Sequence, residues 1–306
     1  MTAIWGIVNV TPDSFSDGGR YLDAERAIAH GIRLHEVGAS VLDVGGESTR
    51  PGAVRVDPVV EQQRVVPVVQ ELSARGIPVS IDTLNASTAT AAVEAGARIV
   101  NDVSGGLADS EMLAAVAASG ADFAIGHWRG PSDDMYARAE YRRPAREVAS
   151  ELRERIAQAA AAGIAPARVI VDPGIGFAKT GAQNWEVLRG LDDITALGYR
   201  VLIGTSRKKF LAETLGVPDA SAGVPGPSSP TPSHASASAD ASLGARGPCS
   251  GTGADGSETG GVTQERRDLA TAVTSALAVR YGVWAVRVHD VAATRDALAI
   301  AHAWEG

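Results

Sequence analysis

The chain has 306 residues, 45% of them hydrophobic, so it can bury a large core, and one α/β barrel of about 250 residues would use most of its length. A formal net charge of −8 argues against a general nucleic-acid or anionic-membrane surface, which would need clustered Lys and Arg. The single cysteine, Cys249, cannot form an internal disulfide, and no signal peptide or long uncharged apolar run is evident. We therefore expect a cytoplasmic location.

Short apolar runs rich in β-forming residues alternate along the chain with longer segments of helical period, as in a parallel sheet wound by βα units. The pattern predicts strands at residues 4–10, 41–46, 78–82, 98–102, 122–127, 168–172, 200–204 and 285–289. Ala, Leu, Glu and Arg at helical spacing predict helices at residues 23–37, 58–74, 86–95, 110–118, 144–162, 182–197, 208–215 and 265–281.

Glycines mark the expected helix ends. Each stands at a predicted C-cap, shortly before the next strand: Gly38, Gly76, Gly96, Gly120, Gly163, Gly198 and Gly282. The repeated order of helix, glycine and strand favours an α/β fold of the closed (β/α)8 TIM-barrel type over an open Rossmann-like sheet. That alternative remains second, because no GxGxxG motif follows the first strand.

One segment, residues 217–263, breaks this rhythm. It is dense in Pro, Gly, Ser, Ala and Thr and has few large apolar residues, so it cannot bury enough apolar surface to offset its ordering entropy. We predict a single domain over residues 1–306 that carries a disordered insertion after the seventh strand. A tolerated surface insertion is the preferred interpretation, and a regulatory or partner-binding segment is the alternative.

Polar residues stand at the C-terminal end of almost every predicted strand. The C-terminal ends of all strands in a parallel barrel share one face, so these side chains should converge there on a site. Residues that suit a flat, amide-rich heterocycle are Asp82, Asn101, Asp172 and Lys208. Residues that suit phosphate oxygens or a phosphate-bound metal are Asn9, Thr49, Arg50, Arg287 and His289.

Taken singly, these residues are weak signals. A lone Asp at a strand end caps the following helix about as often as it binds a ligand, and Asp82 before Thr83 could do so. His127 and His289 could each be a satisfied histidine of the core or rim. The hypothesis of a site therefore depends on the combination of residues.

The local sequences are more specific than the residue types. Residues 9–19 read NVTPDSFSDGG after the first strand, and residues 43–52 read DVGGESTRPG after the second. Further motifs follow in order: SIDT at 80–83, ND at 101–102, DPGIGFAK at 172–179, SRK at 206–208 and RVHD at 287–290. Apart from the insertion, the whole chain resembles the dihydropteroate synthase family.

The resemblance implies a transferase that joins 4-aminobenzoate to 6-hydroxymethyl-7,8-dihydropterin diphosphate by a dissociative mechanism and releases pyrophosphate. It assigns the pterin to Asp82, Asn101, Asp172 and Lys208. Mg2+, bridging to the diphosphate, is assigned to Asn9. The diphosphate and the departing pyrophosphate are assigned to Thr49, Arg50, Arg287 and His289, and the catalytic set comprises Arg50, Lys208, Arg287 and His289.

The resemblance also implies a pocket for 4-aminobenzoate. Two loops would close over the pterin and complete this pocket with Phe15, Pro51 and Phe177. Ser206 and Arg207 would lie near a helix N-terminus that favours the benzoate carboxylate. We expect a homodimer that binds these small molecules and no nucleic acid or membrane. A non-catalytic pterin-binding relative and a pterin-dependent methyltransferase module are the alternatives.

Overall fold

The structure is a computed structural model that describes residues 2–11, 20–47, 55–130, 139–216 and 262–306. Nearly all of the predicted insertion, residues 217–261, lies outside these ranges, so the expected disorder remains a prediction. None of the helices within the described ranges is long and apolar enough to cross a membrane.

The strands form a closed parallel barrel in sequence order, which confirms the predicted (β/α)8 architecture. β1 pairs with both β2 and β8, so the ring closes between the first and last strands. The strands are β1 Ala3–Asn9, β2 Val41–Gly45, β3 Val79–Asp82, β4 Ile99–Asp102, β5 Asp122–Gly126, β6 Val169–Asp172, β7 Arg200–Ile203 and β8 Ala285–Val288.

Helices surround the barrel, and all of them except the C-terminal helix overlap the predicted helical segments. They are α1 Arg20–Glu36, α2 Pro58–Ala74, α3 Ala86–Glu94, α4 Met112–Ser119, α5 Pro144–Ala161, α6 Gly181–Arg189, α7 Leu191–Thr195, α8 Lys209–Gly216, α9 Gln264–Val279 and α10 Val291–Glu305. The seven glycines predicted at helix ends all have positive φ, between 73° and 117°. This left-handed backbone is open to glycine at little cost and lets each chain segment turn back into the barrel.

The helices differ from the sequence prediction in two respects. The segment predicted as one helix over 182–197 is divided into α6 and α7 at Gly190. A Cβ at Gly190 would lie 2.5 Å from Ala145 Cβ, so the close approach of α5 requires a glycine there. The C-terminal helix α10 was not predicted. It begins after Asp290, whose side chain accepts a hydrogen bond from Ala293 N at 3.0 Å.

An apolar layer closes the interior of the barrel below the site. It consists of Trp5, Val41, Ile99, Ala124, Ile170, Leu202 and Ala285, all buried. Side chains two residues apart on a strand point to the same face, so the next inward position on each strand lies one step nearer the C-terminal end. For several strands this next position is polar, which places a polar layer directly above the apolar one.

Candidate active site

The polar layer forms from the residues that stand two positions after the apolar layer. On β2, β4, β6 and β8 these residues are Asp43, Asn101, Asp172 and Arg287, and β3 adds Asp82. Asp43, Asp82, Asn101 and Asp172 are all buried. Strand periodicity therefore brings residues from distant parts of the sequence into one cluster at the C-terminal side of the lumen.

Arg287 lies at the centre of this layer. Its Nη2 atom donates to Asp82 Oδ2 at 2.5 Å, and its Nε atom donates to Asp43 Oδ2. Asn101 Nδ2 donates to the same oxygen of Asp43 at 3.1 Å. Asp43 therefore accepts hydrogen bonds from both Arg287 and Asn101. The sequence analysis gave Asp43 no role, although it lies in the DVGG motif of a predicted strand.

The electrostatics of this group are those of two buried carboxylates that share one cation. Burial raises the pKa of Asp82 to about 7, and Asp43 adds to the increase while Arg287 opposes it. Burial by itself would lower the pKa of Arg287, but Asp43 and Asp82 hold that pKa above its usual range. The guanidinium is therefore charged at every physiological pH, whereas Asp82 is poised to gain or lose a proton near neutrality.

A second pair, Asp172 and Lys208, lies across the lumen. Burial raises the pKa of Asp172 and lowers that of Lys208 to about 8, and each group opposes the shift of the other. A Cβ at Gly204 would lie 3.9 Å from Asp172 Oδ2, from Lys208 Nζ and from Arg287 Cβ. Gly204 thus forms the floor between these three groups, and the missing side chain leaves room for a ligand.

The loop after β6 forms one wall of this space. Gly174 N donates to Asp172 Oδ1 at 2.7 Å, which fixes one carboxylate oxygen. Lys208 Nζ donates to the carbonyl of Ile175 and lies 4.5 Å from the centre of the Phe177 ring. Lys208 is therefore held by the loop while its ammonium group faces Asp172.

The remaining predicted residues within the described ranges lie at the rim. Ser206 Oγ is 2.8 Å from His289 Nδ1 and accepts from His289 N at 3.1 Å, so these two residues form one unit. Arg207, with a left-handed φ of 58°, directs its guanidinium to Asp268 on α9, with nitrogen to oxygen distances of 2.7 and 2.9 Å. Asn9 is exposed at the C-terminal end of β1.

The structure thus separates the predicted residues into those of the lumen, those of the rim and those outside the described ranges. Asp82 pairs with Arg287 in the lumen, where Asn101 donates to Asp43, and Asp172 and Lys208 border the space at Gly204. Arg287, which sequence reasoning grouped with the diphosphate residues, contacts Asp82, which was expected to hold the pterin, and Asp43. Phe15, Thr49, Arg50 and Pro51 lie outside the described residues, so their predicted roles stay predictions.

Comparison with known families now bears on this geometry. The model of the pterin binding enzyme family matches residues 5–289. The chain belongs to this family. The match runs from the first strand to His289, so it includes every residue of the polar layer described above.

Individual members of the family are also similar. The dihydropteroate synthase of Mycobacterium leprae is 47% identical over 300 residues, which cover 98% of this chain and 92% of that protein. The structure of Xanthomonas albilineans dihydropteroate synthase with 4-aminobenzoic acid has a TM-score of 0.79 at 37% identity and covers 100% of this chain and 93% of that one. The same enzyme in complex with 7,8-dihydropteroate has a TM-score of 0.76 at 35% identity, with 100% and 94% covered.

The titration of Asp82 provides a test of the buried network. The folded-state pKa of about 7 exceeds the ordinary value of 3.8, so between these values the folded protein holds a proton that the unfolded chain has released. The resulting stabilisation is complete below the ordinary pKa and is lost as the pH rises through about 7.

We therefore expect the free energy of unfolding of the unmodified protein, relative to that of Asp82→Asn, to fall by about 1 kcal/mol or more between pH 4 and pH 7. Urea unfolding at several pH values measures this difference. Asp192→Asn, at an exposed position on α7, is the matched control and should give a flat difference. A flat difference for Asp82→Asn as well would contradict the raised pKa.

Proposed function

We propose that this chain is a dihydropteroate synthase, which condenses 6-hydroxymethyl-7,8-dihydropterin diphosphate with 4-aminobenzoate to give 7,8-dihydropteroate and pyrophosphate. The observation that carries this proposal is the buried polar layer, in which Asp172 and Lys208 border a space floored by Gly204 and Asp82 pairs with Arg287. The 47% identity to the Mycobacterium leprae enzyme supports the same reaction.

The pterin lies in the lumen above the apolar layer. Its ring carries adjacent N–H donors and a carbonyl, so it needs carboxylate acceptors on one edge and donors on the other. Asp172 Oδ2 and Asp82 supply acceptors, while Lys208 Nζ and Asn101 supply donors. Because the site is buried, a ring that satisfies these groups gains strong hydrogen bonds, and a ring that leaves them unpaired incurs a desolvation penalty.

The diphosphate lies at the rim, where the chain offers cationic and neutral polar groups. His289 lies there, held by Ser206 Oγ at 2.8 Å from its Nδ1, and Thr49 and Arg50 complete the diphosphate set with His289 in our proposal. This arrangement leaves Arg287 to stabilise the carboxylates of the lumen. Arg287 thereby keeps Asp82 available as an acceptor for the ring, and it adds positive potential below the departing pyrophosphate.

The residues present fit a substrate-bridged Mg2+. Asn9 offers an exposed amide oxygen on the same face of the barrel, and oxygen ligands are what Mg2+ prefers. No group of three His, Cys, Asp or Glu residues in the described ranges could hold a metal by itself. Mg2+ often takes few protein ligands and completes its shell with water and substrate phosphates. Asn9 would hold the ion, which would neutralise charge on the diphosphate.

The mechanism follows from the weakness of an arylamine as a nucleophile. The bond between the pterin methylene carbon and the diphosphate oxygen breaks largely before the amine attacks, and resonance with the ring spreads the positive charge. The protein stabilises the leaving pyrophosphate at the rim and keeps water from the exposed carbon. The carboxylates of the lumen also stabilise the developing cation by their negative charge.

The aminobenzoate enters from the open end of the barrel. The Phe177 ring, beside Lys208, forms one side of its pocket, and Phe15 and Pro51 form the rest in our proposal. Ser206 and the backbone before α8 receive the benzoate carboxylate. The Arg207 guanidinium is paired with Asp268, so Arg207 contributes through its backbone or after release of that pair.

The decisive assay combines the purified protein with pterin diphosphate, 4-aminobenzoate and Mg2+. We expect 7,8-dihydropteroate and pyrophosphate in equal amounts, detected by chromatography. Pterin binding without turnover would indicate the non-catalytic pterin-binding alternative. Methyl transfer from a methylated pterin to a corrinoid protein would indicate the methyltransferase alternative.

Pterin recognition is tested by Asp172→Asn. The amide retains an oxygen for Gly174 N but presents an N–H group where the ring also has N–H, so we expect pterin affinity to fall by about 2 to 4 kcal/mol. Isothermal titration calorimetry measures the change. Asp192→Asn is again the control and should bind normally. Unchanged affinity in Asp172→Asn would mean that the ring lies elsewhere.

We also propose that the protein is a cytoplasmic homodimer that pairs through α9 and α10. Leu269, Val273 and Leu277 follow at intervals of four on α9 and are exposed, by 64% and 53% for the two leucines. Ile300 and Trp304 on α10 are exposed apolar residues as well, and Trp304 is 90% exposed. A second copy of the chain would bury this surface. The proposed cytoplasmic location is supported by the single cysteine, Cys249, because proteins of oxidising compartments often carry disulfides and this chain cannot form an internal one.

The dimer is tested by Leu277→Arg, which places a charge within the apolar stripe. We expect the molar mass from light scattering to change from that of a dimer to that of a monomer. Val59→Arg, at a 60% exposed apolar position on α2, is the matched control and should stay dimeric. A monomeric unmodified protein, or a dimeric Leu277→Arg, would contradict this interface.

A further inference from the structure

A row of charged and polar side chains, two of them buried and two half-buried, lies behind the loop that follows β6. It consists of the buried Lys179 and His127 and the half-buried Glu151 and Arg129, and the proposed function gives none of them a contact with substrate. We propose that Lys179 is a positioning residue of the synthase reaction, whose ammonium group fixes the loop that carries Asp172 and Phe177. This inference rests on the proposed function, because it concerns the binding of the pterin.

Lys179 is 1% exposed, yet its ammonium group is fully satisfied. Its Nζ atom lies 3.0 Å from His127 Nδ1, 3.0 Å from the carbonyl of Gly174 and 3.1 Å from the carbonyl of Phe177. An ammonium group has three N–H donors, and here each donor meets one acceptor. The geometry therefore matches the charged form of Lys179 and ties two loop carbonyls to the end of β5.

The histidine is held in one tautomer by its other neighbour. His127 Nε2 is 3.0 Å from Glu151 Oε2, so Nε2 carries the proton and Nδ1 is left to accept from Lys179. Glu151 is fixed in turn by Arg129, whose Nε atom lies 3.0 Å from the same carboxylate oxygen. The Arg129 guanidinium stacks on the Tyr141 ring at 3.7 Å. The row thus ends in the ion pair of Arg129 with Glu151, which lies on α5.

The pKa of His127 agrees with this tautomer. Burial, together with the neighbouring Lys179, lowers the pKa of His127 to about 4, so the imidazole is neutral at neutral pH. Burial lowers the pKa of Lys179 to about 7, while Asp172 raises it and Lys208 lowers it further. The three acceptors and the nearby carboxylate favour the ammonium form. Without them, a buried lysine would be neutral.

The same loop is held from two sides. Lys208 donates to the carbonyl of Ile175 from within the site, and Lys179 donates to the carbonyls of Gly174 and Phe177 from behind. Gly174 N holds Asp172 Oδ1, so the position of Gly174 sets the position of the carboxylate. Loss of Lys179 would leave the part-buried Phe177 carbonyl without a donor and the Gly174 carbonyl with the Phe177 N–H alone, and the loop would have to move to recover the lost hydrogen bonds.

The loop also has little freedom to compensate. A Cβ at Gly174, whose φ is +64°, would lie 2.1 Å from the carbonyl oxygen of His127, so the loop is in direct contact with the end of β5. A small shift here changes both the Asp172 carboxylate and the Phe177 ring. The expected consequence is weaker binding of the pterin in the ground state and the transition state alike.

A purely structural role for Lys179 predicts a different result. A lysine that only stabilises the barrel would, when replaced, lower the melting temperature and the fraction of active protein but leave the KM of the folded molecules unchanged. A positioning residue raises KM for the pterin diphosphate, because uniform binding is lost, and changes kcat less. The division of the effect between KM and kcat therefore distinguishes the two roles.

The test is Lys179→Met, which keeps the volume and removes the charge and the donors. We expect KM for the pterin diphosphate to rise by about tenfold or more, with a smaller change in kcat. Glu151→Gln, which weakens the hydrogen bond to His127 Nε2, should also raise KM, but by a smaller factor. Arg146→Met, at an exposed position on α5, is the matched control and should leave both constants unchanged.

A KM within twofold of the unmodified value, together with a lower melting temperature, would overturn the proposal. If Lys179→Met fails to fold, the side-chain 15N spectrum of His127 in the unmodified protein decides. A neutral ring protonated at Nε2 at pH 7 supports the proposal, and a proton on Nδ1 overturns it, because Nδ1 could not then accept from Lys179. An unmodified protein that makes no dihydropteroate would instead contradict the proposed function.

Discussion

The ion pairs of Arg287 with Asp43 and Asp82 are the interaction on which the interior of the barrel depends. Two buried carboxylates in one lumen repel each other, and removing the cation between them would cost about 3 to 5 kcal/mol, since an uncompensated buried charge would remain. Arg287 is therefore structural and functional at once. It allows the barrel to fold around acidic side chains, and it leaves their remaining oxygens available to a ligand with N–H donors.

The depth of the site follows from strand periodicity. The apolar layer formed by Trp5 and its neighbours fills the lower lumen, so a ligand cannot pass deeper, and the polar layer starts one inward position higher. Gly204 leaves a space at that level, because it has no side chain between Asp172 and Lys208. A flat ring can thus be buried without a large cavity, since the barrel interior is filled everywhere else.

The alternation of helix, glycine and strand predicted the barrel because each signal is local to a few residues. The contacts across the lumen were less accessible. Periodicity shows which strand face Arg287 occupies, but it cannot show that its guanidinium reaches Asp43 on a distant strand. Arg207 illustrates the same limit. It has a left-handed backbone, and its guanidinium pairs with Asp268 on α9 instead of pointing into the site. The SRK motif predicts neither feature. The role of Lys179 likewise depends on contacts with β5 and α5.

Burial disfavours the ionised forms of two carboxylates in the polar layer, Asp82 and Asp172. Asp43, Asp82 and Asp172 face the cations Arg287 and Lys208, and burial raises the pKa of both Asp82 and Asp172. A ring that donates N–H groups to these carboxylates stabilises their ionised forms and so lowers their pKa values. Pterin binding and carboxylate ionisation are therefore thermodynamically linked. In the proposed function, the pterin ring would therefore balance the charge of the acidic lumen, because it donates N–H groups to the carboxylates there.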